Sequence, residues 1–439
     1  MSKALRIKGN QDLVDKVMGK LKASAPKDKD CTFEISRSSR SILSKIRYVL
    51  TTGIDPIDNA TGGLPFGRVV ELYGLEGCGK TALAMRATAR IQQREIYEKK
   101  DDGTWQKVPE DTEVAILYID NEQSIDDDQR LVIDDTKIDA IIGRCDTIDQ
   151  MFKMIDITLN TIDAEMAPKN KGDPMPLYFV GVIVDTIAGT SSKEEMKAEW
   201  GKDDYNRQPK QLRQGFRRMM RKISRRNVLF LATNQVSDRF DKARSHGPKS
   251  SVPQDSDFST FGGKALKFFA SLRIFMYRLG HYKLNKAHQF PDGMSCGFIV
   301  PKNRVVKPWR AGRFVLLFDR GLSNTYSVLE SLCFLKMAEK SKEAAGMIEF
   351  KFSRAGIEPT TFAKKDGERK VDYALHGLDT WPAFYAEHKA DIDALWAKAK
   401  HTMFEDDTLA ASEAVLDSDD PDASDVDEDE DESAEDDDS

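Results

Sequence analysis

The sequence predicts an α/β fold built around a mostly parallel sheet. Short apolar runs typical of buried strands alternate along the chain with segments of helical periodicity, which is the pattern of βαβ units. At one junction, after the predicted strand Val69–Tyr73, a glycine-rich loop leads into a helix. Hydrophobic residues make up 40% and charged residues 32% of the 439-residue chain, as in a globular protein with one large core and one or two smaller domains.

The predicted elements follow in a regular order. The helices are an amphipathic segment at residues 9–22, then Thr81–Tyr97, Asp149–Leu159 and the very basic Gln211–Arg226. The strands are Val69–Tyr73, Val114–Ile119, Phe179–Val184, Val228–Thr233, Leu272–Tyr277, Gly297–Pro301 and Phe314–Phe318. A polar insertion at 98–112 and a polar, turn-rich loop at 236–260 interrupt the alternation.

Composition divides the chain into an N-terminal segment (1–45), a core (46–325), a smaller C-terminal domain (326–410) and an acidic tail (411–439). We expect the tail to be disordered, because residues 417–439 hold 15 acidic residues and no basic one. Outside that stretch, 66 Lys and Arg face 58 Asp and Glu, so a mildly basic body carries a strongly acidic end. The tail is either a solubilising segment or a mimic of DNA that competes for a basic groove.

Several protein classes are excluded by pattern. No apolar run approaches the roughly 20 residues needed to span a bilayer. The N-terminus, Met1 to Lys8, has no apolar secretory core, so we expect an intracellular, cytoplasmic protein. The five cysteines are scattered without a C-x-x-C pair, which predicts neither a zinc site nor a disulfide framework.

The glycine-rich loop predicts a phosphate-binding site. Residues 74–81 fit the pattern G-x-x-x-x-G-K-[ST], with a strand before them and a helix after them. Backbone N–H groups of such a loop face phosphate oxygens, and the positive end of the helix dipole adds to their effect. Lys80 is expected to reach the β- and γ-phosphates of ATP, and Thr81 to ligate Mg²⁺. The expected nucleotide-binding residues here are Gly74, Leu75, Glu76, Gly77, Cys78, Gly79, Lys80 and Thr81.

Two carboxylates at strand ends are candidates for hydrolysis. Asp185 follows the apolar strand Phe179–Val184, where an acidic residue can hold Mg²⁺ through water; alternatively it caps a helix or a turn. Glu122 comes shortly after the strand Val114–Ile119, where it can orient the attacking water. The pattern alone leaves that role open against an exposed turn residue.

Several ordered motifs resemble the bacterial RecA recombinase family over roughly residues 45–325. They are Leu50–Ile54 with Gly62–Arg68 before the phosphate loop, Tyr118–Glu122, Asp185–Thr186, Thr233–Gln235, Phe261–Ser271 and Lys302–Arg304. The resemblance implies a RecA-like P-loop NTPase core and assigns Glu122 as the catalytic glutamate. It makes Gln235 the sensor of the γ-phosphate beside the second DNA-binding loop. It also implies that the N-terminal segment serves oligomerisation.

The resemblance implies that Lys302 and Arg304 reach across a filament interface to the ATP of a neighbouring subunit, as a cationic clamp. It places Lys210 and Arg217 near the DNA axis and lets Lys267 and Arg273 complete the DNA groove. The sequence also departs from the family. Gln129 stands where the family has an aromatic residue that stacks on adenine, and the loop at 236–260 is longer than usual.

DNA binding is expected from lysines and arginines that neutralise phosphates. In the loop at 236–260, Arg239 and Lys242 are expected to meet phosphates, and Phe240 to stack on bases. The other interpretations are that Phe240 anchors its loop to the core and that the basic helix is a solvated face. None of these residues is expected to read base edges.

The resulting hypothesis is an ATP- and Mg²⁺-dependent recombinase. Such a protein would form a homo-oligomeric helical filament on single-stranded DNA and pair it with a homologous duplex in recombination and repair. Two alternatives stay open: a RecA-like hexameric helicase, and a non-catalytic mediator that binds nucleotide and a recombinase partner. A small-molecule kinase is disfavoured, because no segment resembles a substrate lid and the basic features would have no role.

Overall fold

The computed structural model describes residues 46–100, 102–122, 132–133, 136–168, 170, 173, 175–192, 207–238, 258–285, 287–340, 347–357, 359 and 374–405. The predicted N-terminal helix and acidic tail therefore lie outside the described residues. Helices, numbered in chain order, are α1 (Asp55–Thr61), α2 (Lys80–Gln92), α3 (Ile148–Glu165), α4 (Arg207–Arg225), α5 (Lys264–Phe269), α6 (Asn324–Phe334), α7 (Phe352–Ala355), α8 (Trp381–Glu387) and α9 (Lys389–Glu405).

Strands of the N-terminal half of the chain are β1 (Tyr48–Leu50), β2 (Leu64–Pro65), β3 (Arg68–Gly74), β4 (Ile96–Lys99), β5 (Trp105–Lys107), β6 (Glu113–Asp120), β7 (Val132–Ile133), β8 (Thr136–Lys137), β9 (Ile141–Gly143) and β10 (Tyr178–Asp185). Those of the C-terminal half are β11 (Val228–Asp238), β12 (Phe258–Thr260), β13 (Ala270–Tyr282), β14 (Gly293–Asn303), β15 (Arg310–Leu317), β16 (Gly321–Ser323), β17 (Ala338–Lys340), β18 (Met347–Phe350) and β19 (Ala374–His376).

A large mixed sheet forms the centre of the fold, with strand order β16-β15-β14-β13-β3-β11-β10-β6-β9. The strands from β13 to β9 in this order are parallel, while β14, β15 and β16 join antiparallel at one side. Parallel strands require crossover helices, which explains the alternation in the sequence. The predicted α/β class with a mostly parallel sheet is confirmed.

Two apolar layers cover the two faces of this sheet. Along β10, Phe179 and Ile183 pack into the layer that contains α2, whereas Val182 and Val184 pack into the layer of α3 and α4. Successive strand side chains point to opposite faces, so a strand covered on both sides is apolar throughout. This is why β10 is apolar from Tyr178 to Val184 and buried along its whole length.

The polar insertion at 98–112 contributes to a second, smaller sheet. Helix α2 ends at Gln92 rather than at Tyr97, and Tyr97 instead lies in β4, which pairs with β1 and with β5. The four strands have the order β2-β1-β4-β5. Ile96 on β4 is fully buried and lies opposite Leu50 on β1, so pairing with β1 and burial outweigh the local helical pattern.

The C-terminal part packs directly on the main sheet. Its apolar cluster surrounds Trp381 and Phe350 and also includes Val315 and Leu317 of β15. The indole N–H of Trp381 donates to the carbonyl of Thr325 over 2.8 Å. The expected boundary near residue 325 therefore crosses a continuous core. Among the described helices, none is long and apolar enough to cross a membrane.

Candidate functional site

The expected catalytic residues meet at one edge of the main sheet. Strands β3, β6, β10 and β11 are parallel, and register places Asp185 beside Asp120 and Gln235 beside Gly74. The phosphate loop follows β3, Glu122 follows β6, and Asp185 ends β10. Carboxyl ends of parallel strands are where open α/β sheets bind ligands.

The phosphate loop comes very close to the neighbouring strand. A Cβ atom on Gly74 would lie 1.9 Å from the carbonyl oxygen of Met276 on β13, so only glycine fits there. Gly79 has a left-handed backbone and is the N-cap of α2, so the helix begins without a side-chain cap. Its first N–H groups are therefore left for an external acceptor, and a phosphate group is the usual one.

Lys80 and Cys78 have their polar atoms turned into this loop. The Lys80 ammonium group donates to the carbonyls of Gly74 at 3.1 Å and Leu75 at 2.7 Å. The buried Cys78 thiol donates to the Leu75 carbonyl at 2.9 Å, and burial raises the pKa of this thiol. A cleft of about 340 Å³ opens outside the loop, lined by Gly74, Leu75, Glu76, Gln235 and Val236. Gln235 thus lies against the space next to the phosphate loop.

Asp185 is fixed in place by two hydroxyl groups. Its side chain is 1% exposed and accepts hydrogen bonds from Tyr118 at 2.8 Å and from Thr233. Burial, followed by the charge of Asp185, raises the pKa of Tyr118 well above its ordinary value, so that phenol stays a donor. The carboxylate is rigidly positioned at the sheet edge, which a metal-positioning residue requires.

Glu122 and Gln235 contact each other directly. Nε2 of Gln235 donates to Oε1 of Glu122 over 3.0 Å, although β10 lies between β11, which contains Gln235, and β6, which Glu122 follows. The backbone N–H groups of Asn121 and Glu122 point to the Asp185 carbonyl, at 2.8 and 3.4 Å. This holds Glu122 beside β10. Both Glu122 and Gln235 are exposed, as groups that meet a ligand must be.

The residues fit Mg²⁺ held together with a nucleotide. Among the described residues, no group of three or more His, Cys, Asp or Glu could hold a metal by itself. Mg²⁺ in nucleotide sites instead keeps several waters and uses one or two protein ligands plus phosphate oxygens. The hydroxyl of Thr81 on the first turn of α2 and the carboxylate of Asp185 match that donor set.

Arg273 does not lie on a surface open to DNA. It is 2% exposed, pairs with the fully buried Glu71 on β3, and stacks with its guanidinium carbon 4.0 Å from the ring centre of Tyr73. Glu71 also accepts from Asn234, which donates in turn to the carbonyl of Phe261, each at 3.0 Å. The expectation that Arg273 contacts DNA disagrees with this position. A buried charge needs a partner, and Glu71 is that partner.

Lys302 and Arg304 lie towards the opposite ends of the strands from the phosphate loop. Lys302 on β14 is in register with Arg273 on β13, and Arg273 is in register with Glu71 on β3. Glu71 lies three residues before Gly74 on the same strand. The Arg304 backbone donates to the carbonyl of Ser271. Burial, and then the charge of Arg304, lowers the pKa of Arg68 at the start of β3. At about 3.3 Å per residue, these cations are on the order of 10–20 Å from Gly74 of their own chain.

The ammonium group of Lys302 is held by carbonyl groups of the short helix α5. It donates to the carbonyls of Lys267 at 2.8 Å and Phe268 at 3.2 Å, both on α5. Burial, followed by the charges of Arg304 and Arg273, lowers the pKa of Lys302. The Phe268 side chain is 72% exposed, and Lys267 beside it is also exposed. An apolar ring exposed beside a cation is typical of an interaction surface.

Of the other expected binding residues, two are exposed on α4 and four lie outside the described residues. Lys210 and Arg217 are exposed on α4, as phosphate contacts must be. Its first turn lies against the segment that follows β12, since a Cβ on Gly263 would be 3.3 Å from Pro209. Four of the predicted positions lie outside the described residues: Gln129, Arg239, Phe240 and Lys242.

Four supporting residues were not identified from the sequence: Tyr118, Thr233, Asn234 and Glu71. One signal was available, because Glu71 is a charged residue inside the apolar run Val69–Tyr73. A charge in a buried strand predicts a buried partner. The partner is 202 residues away, however, and pattern does not reveal it.

Comparison with known proteins agrees with this geometry. The sequence matches the RecA N-terminal domain family over residues 37–102 and 106–323, and the break falls at the β4–β5 hairpin. It is similar to the protein RecA of Legionella pneumophila, 28% identical over 312 residues that cover 70% of this chain and 76% of that protein. It is also similar to the mitochondrial DNA repair protein recA homolog 3 of Arabidopsis thaliana, 24% identical over 361 residues, with 82% and 69% covered.

Proposed function

Since this chain belongs to the RecA family, we propose that it is an ATP-dependent DNA recombinase that polymerises on single-stranded DNA and pairs it with a homologous duplex. The observation that carries the proposal is the hydrogen bond between Gln235 and Glu122 beside the phosphate loop. It links a candidate catalytic group to the strand that leads into the loop at 236–260. An ATPase whose turnover responds to DNA needs such a link.

Hydrolysis is assigned to residues at the sheet edge. The phosphate loop binds the nucleotide through its N–H groups, and Lys80 leaves the loop carbonyls for the β- and γ-phosphates. Thr81 and Asp185 would hold Mg²⁺, and the ion would neutralise charge on the phosphate oxygens. Glu122 orients the attacking water and accepts its proton. Each role suits the position described for that side chain.

DNA coupling is assigned to Gln235 and the residue before it. A γ-phosphate in the cleft competes with Glu122 for the amide of Gln235, which changes the first residues of the loop at 236–260. Asn234 binds both Glu71 and the Phe261 carbonyl, so both ends of that loop are tied to one buried carboxylate. The strand pairing of β11 with β12 adds a second tie, with Val236 opposite Thr260.

Filament formation is supported by the location of Lys302 and Arg304. They are remote from the phosphate loop of their own subunit, so they can clamp ATP only when supplied by a neighbour. A head-to-tail contact of this kind repeats indefinitely and generates a helical filament when the ring does not close. The exposed Phe268 and Lys267 lie at the same end of the sheet and extend this interface.

The test is electron microscopy of the purified protein with single-stranded DNA and a slowly hydrolysed ATP analogue. ATP hydrolysis is measured on the same preparation with and without DNA. Helical filaments with DNA-stimulated turnover are expected, and strand exchange between homologous DNAs is then the decisive assay. Closed rings that unwind duplex DNA would favour the helicase, and small particles without turnover would favour the mediator.

A further inference from the structure

Helix α4 carries a broad basic face that the nucleotide site does not use. At 100° per residue, its exposed cations fall within one arc of about 140°. They are Lys210, Arg213, Arg217, Arg218, Arg221 and Arg225. At 1.5 Å per residue the face extends about 22 Å along the helix. We call these six residues the α4 basic face.

The opposite side of α4 accounts for its stability in the fold. Leu212, Phe216, Met219 and Ile223 are buried in the apolar layer that covers the sheet. The helix also packs tightly on α3, because a Cβ on Gly215 would lie only 2.0 Å from the ring of Phe152. Two further cations pair with α3: Lys222 of α4 with Asp156, and Arg226, directly after α4, with Asp163. Folding thus uses other residues than the α4 basic face.

Five of the six residues of the α4 basic face have no matching anion in the described part of the chain. Lys210, Arg213, Arg217, Arg218 and Arg221 have no ion-pair or hydrogen-bond partner among the described residues, unlike Lys222 and Arg226. Like charges three or four residues apart disfavour a helix. Such a face is stabilised when an external polyanion supplies the opposite charge, and a row of phosphates does so.

The composition of the face indicates which polyanion it fits. Single-stranded nucleic acid is bound by cations interleaved with aromatic rings on which the bases stack. The exposed residues of this arc are six cations and Gln214, with no aromatic side chain. Such a face contacts backbone only, and this suits a duplex, whose bases are paired and stacked inside.

We propose that the α4 basic face is a binding surface for the phosphate backbone of double-stranded DNA. The surface extends outward from the first turn of α4, which lies beside the loop at 236–260 that the proposed function couples to single-stranded DNA. The inference rests on the proposed function. The first turn of α4 touches the segment closing the loop at 236–260, through Pro209 and Gly263. Arg221 lies about 18 Å farther along the helix than Pro209. A duplex on this face would thus be held beside the strand with which it pairs.

The experiment replaces three residues of the face that have no other assigned role. The variant R213Q/R218Q/R221Q is compared with the unmodified protein and with a control variant, K153Q/K283Q/R320Q. The control removes the same number of positive charges from exposed sites elsewhere. Binding of a duplex is measured across a salt series. Binding of poly(dT) and poly(dT)-stimulated ATP hydrolysis are measured in parallel.

The face variant is expected to bind duplex roughly 10- to 100-fold more weakly at low salt. The slope of log K against log salt should be smaller by about 2–3, because three phosphate contacts are lost. Poly(dT) binding and stimulation should stay within about twofold, and the control should resemble the unmodified protein. An unchanged duplex slope in the face variant, or an equal loss in the control, would overturn the inference. If poly(dT) gives no stimulation in any of the three proteins, the proposed function fails, while the duplex slopes still decide the α4 basic face.

Discussion

The side-chain amide of Gln235 donates to the carboxylate of Glu122 across 3.0 Å, and this contact spans the strand that ends at Asp185. Three strands therefore present their functional groups side by side at one edge of the sheet. In the proposed mechanism, this amide exchanges the candidate catalytic carboxylate for a phosphate and so acts as a two-position switch. The predictions below start from this pair and proceed outward.

Replacing Glu122 by glutamine should lower ATP turnover roughly 100-fold or more, since the residue orients and deprotonates water. Nucleotide and DNA binding should be retained, because the phosphate loop is untouched. Steady-state hydrolysis and binding of a fluorescent ATP analogue measure the two effects. Glu110→Gln, at an exposed turn, is the control. Normal turnover in Glu122→Gln would remove this residue from the mechanism.

The Gln235→Ala variant should retain basal ATP hydrolysis but lose its stimulation by DNA. Basal turnover is expected within about threefold of the unmodified protein, because the alanine releases Glu122 without removing it. Stimulation by single-stranded DNA should be lost, since the loop at 236–260 no longer receives the γ-phosphate signal. Hydrolysis is measured against DNA concentration, beside Gln106→Ala on the exposed strand β5. Full stimulation in Gln235→Ala would contradict the switch.

Mixing two inactive variants should restore activity if Arg304 acts on a neighbouring subunit. Arg304→Ala and Glu122→Gln are each expected to be impaired alone. In an equal random mixture, about one quarter of the head-to-tail interfaces combine an intact Glu122 with an intact Arg304. Turnover of the mixture should then approach that fraction of the unmodified rate. A mixture no more active than its components would place Arg304 outside the composite site.

Breaking the buried ion pair of Glu71 and Arg273 should lower the unfolding free energy more than removing both of its charges. Glu71→Gln leaves the Arg273 guanidinium without its carboxylate and is expected to cost about 3–5 kcal/mol of unfolding free energy. The double variant E71M/R273M, which removes both charges, should cost less than the single one. Urea denaturation followed by circular dichroism compares them. A single variant as stable as the parent would show that the pair is not needed.

Asp58 predicts a pH dependence of stability. Burial raises the pKa of Asp58 to about 6, although hydrogen bonds from Thr52 and Gly53 act in the opposite direction. The folded state therefore binds this proton more tightly than the unfolded state, so the group stabilises the fold below pH 4 and loses that contribution as pH rises through about 6. The full effect is about 3 kcal/mol.

The measurement compares unfolding free energies of the parent and Asp58→Asn between pH 4 and 7. Between these limits, the parent should lose about 2–2.5 kcal/mol relative to the variant, because asparagine does not titrate and the unfolded state has already lost part of its proton at pH 4. Other carboxylates titrate alike in both proteins and cancel in the difference. A difference that stays constant with pH would contradict the raised pKa.

The arrangement of strands and the phosphate loop could be predicted because both depend on local pattern. The loop fits a fixed spacing, and buried parallel strands are apolar throughout. Tyr97 was assigned to a helix, because a short apolar pattern does not distinguish helix from strand, and pairing with β1 decided the outcome. The resemblance to the family places Arg273 at the DNA groove. Its burial could not be predicted, because its partner Glu71 is distant in sequence.

Position at the sheet edge could be inferred for Glu122 and Gln235, since each comes at or just after a strand end. Their mutual hydrogen bond could not, because it depends on which strand lies between them. The α4 basic face was visible as a set of arginines. The pairing of Lys222 with Asp156 and of Arg226 with Asp163, which sets these two cations apart from the face, could not be predicted because it depends on the packing of α4 on α3.

The core around Trp381 bears on how the protein can be divided experimentally. Val315 and Leu317 of the main sheet belong to that core, and Trp381 bonds to the carbonyl of Thr325. A fragment that stops at residue 325 would leave an apolar face of β15 in water, where it invites aggregation. The C-terminal part therefore shares one apolar core with the main sheet and is not a separate attachment. Its function has to be studied by surface substitutions, with the chain left whole.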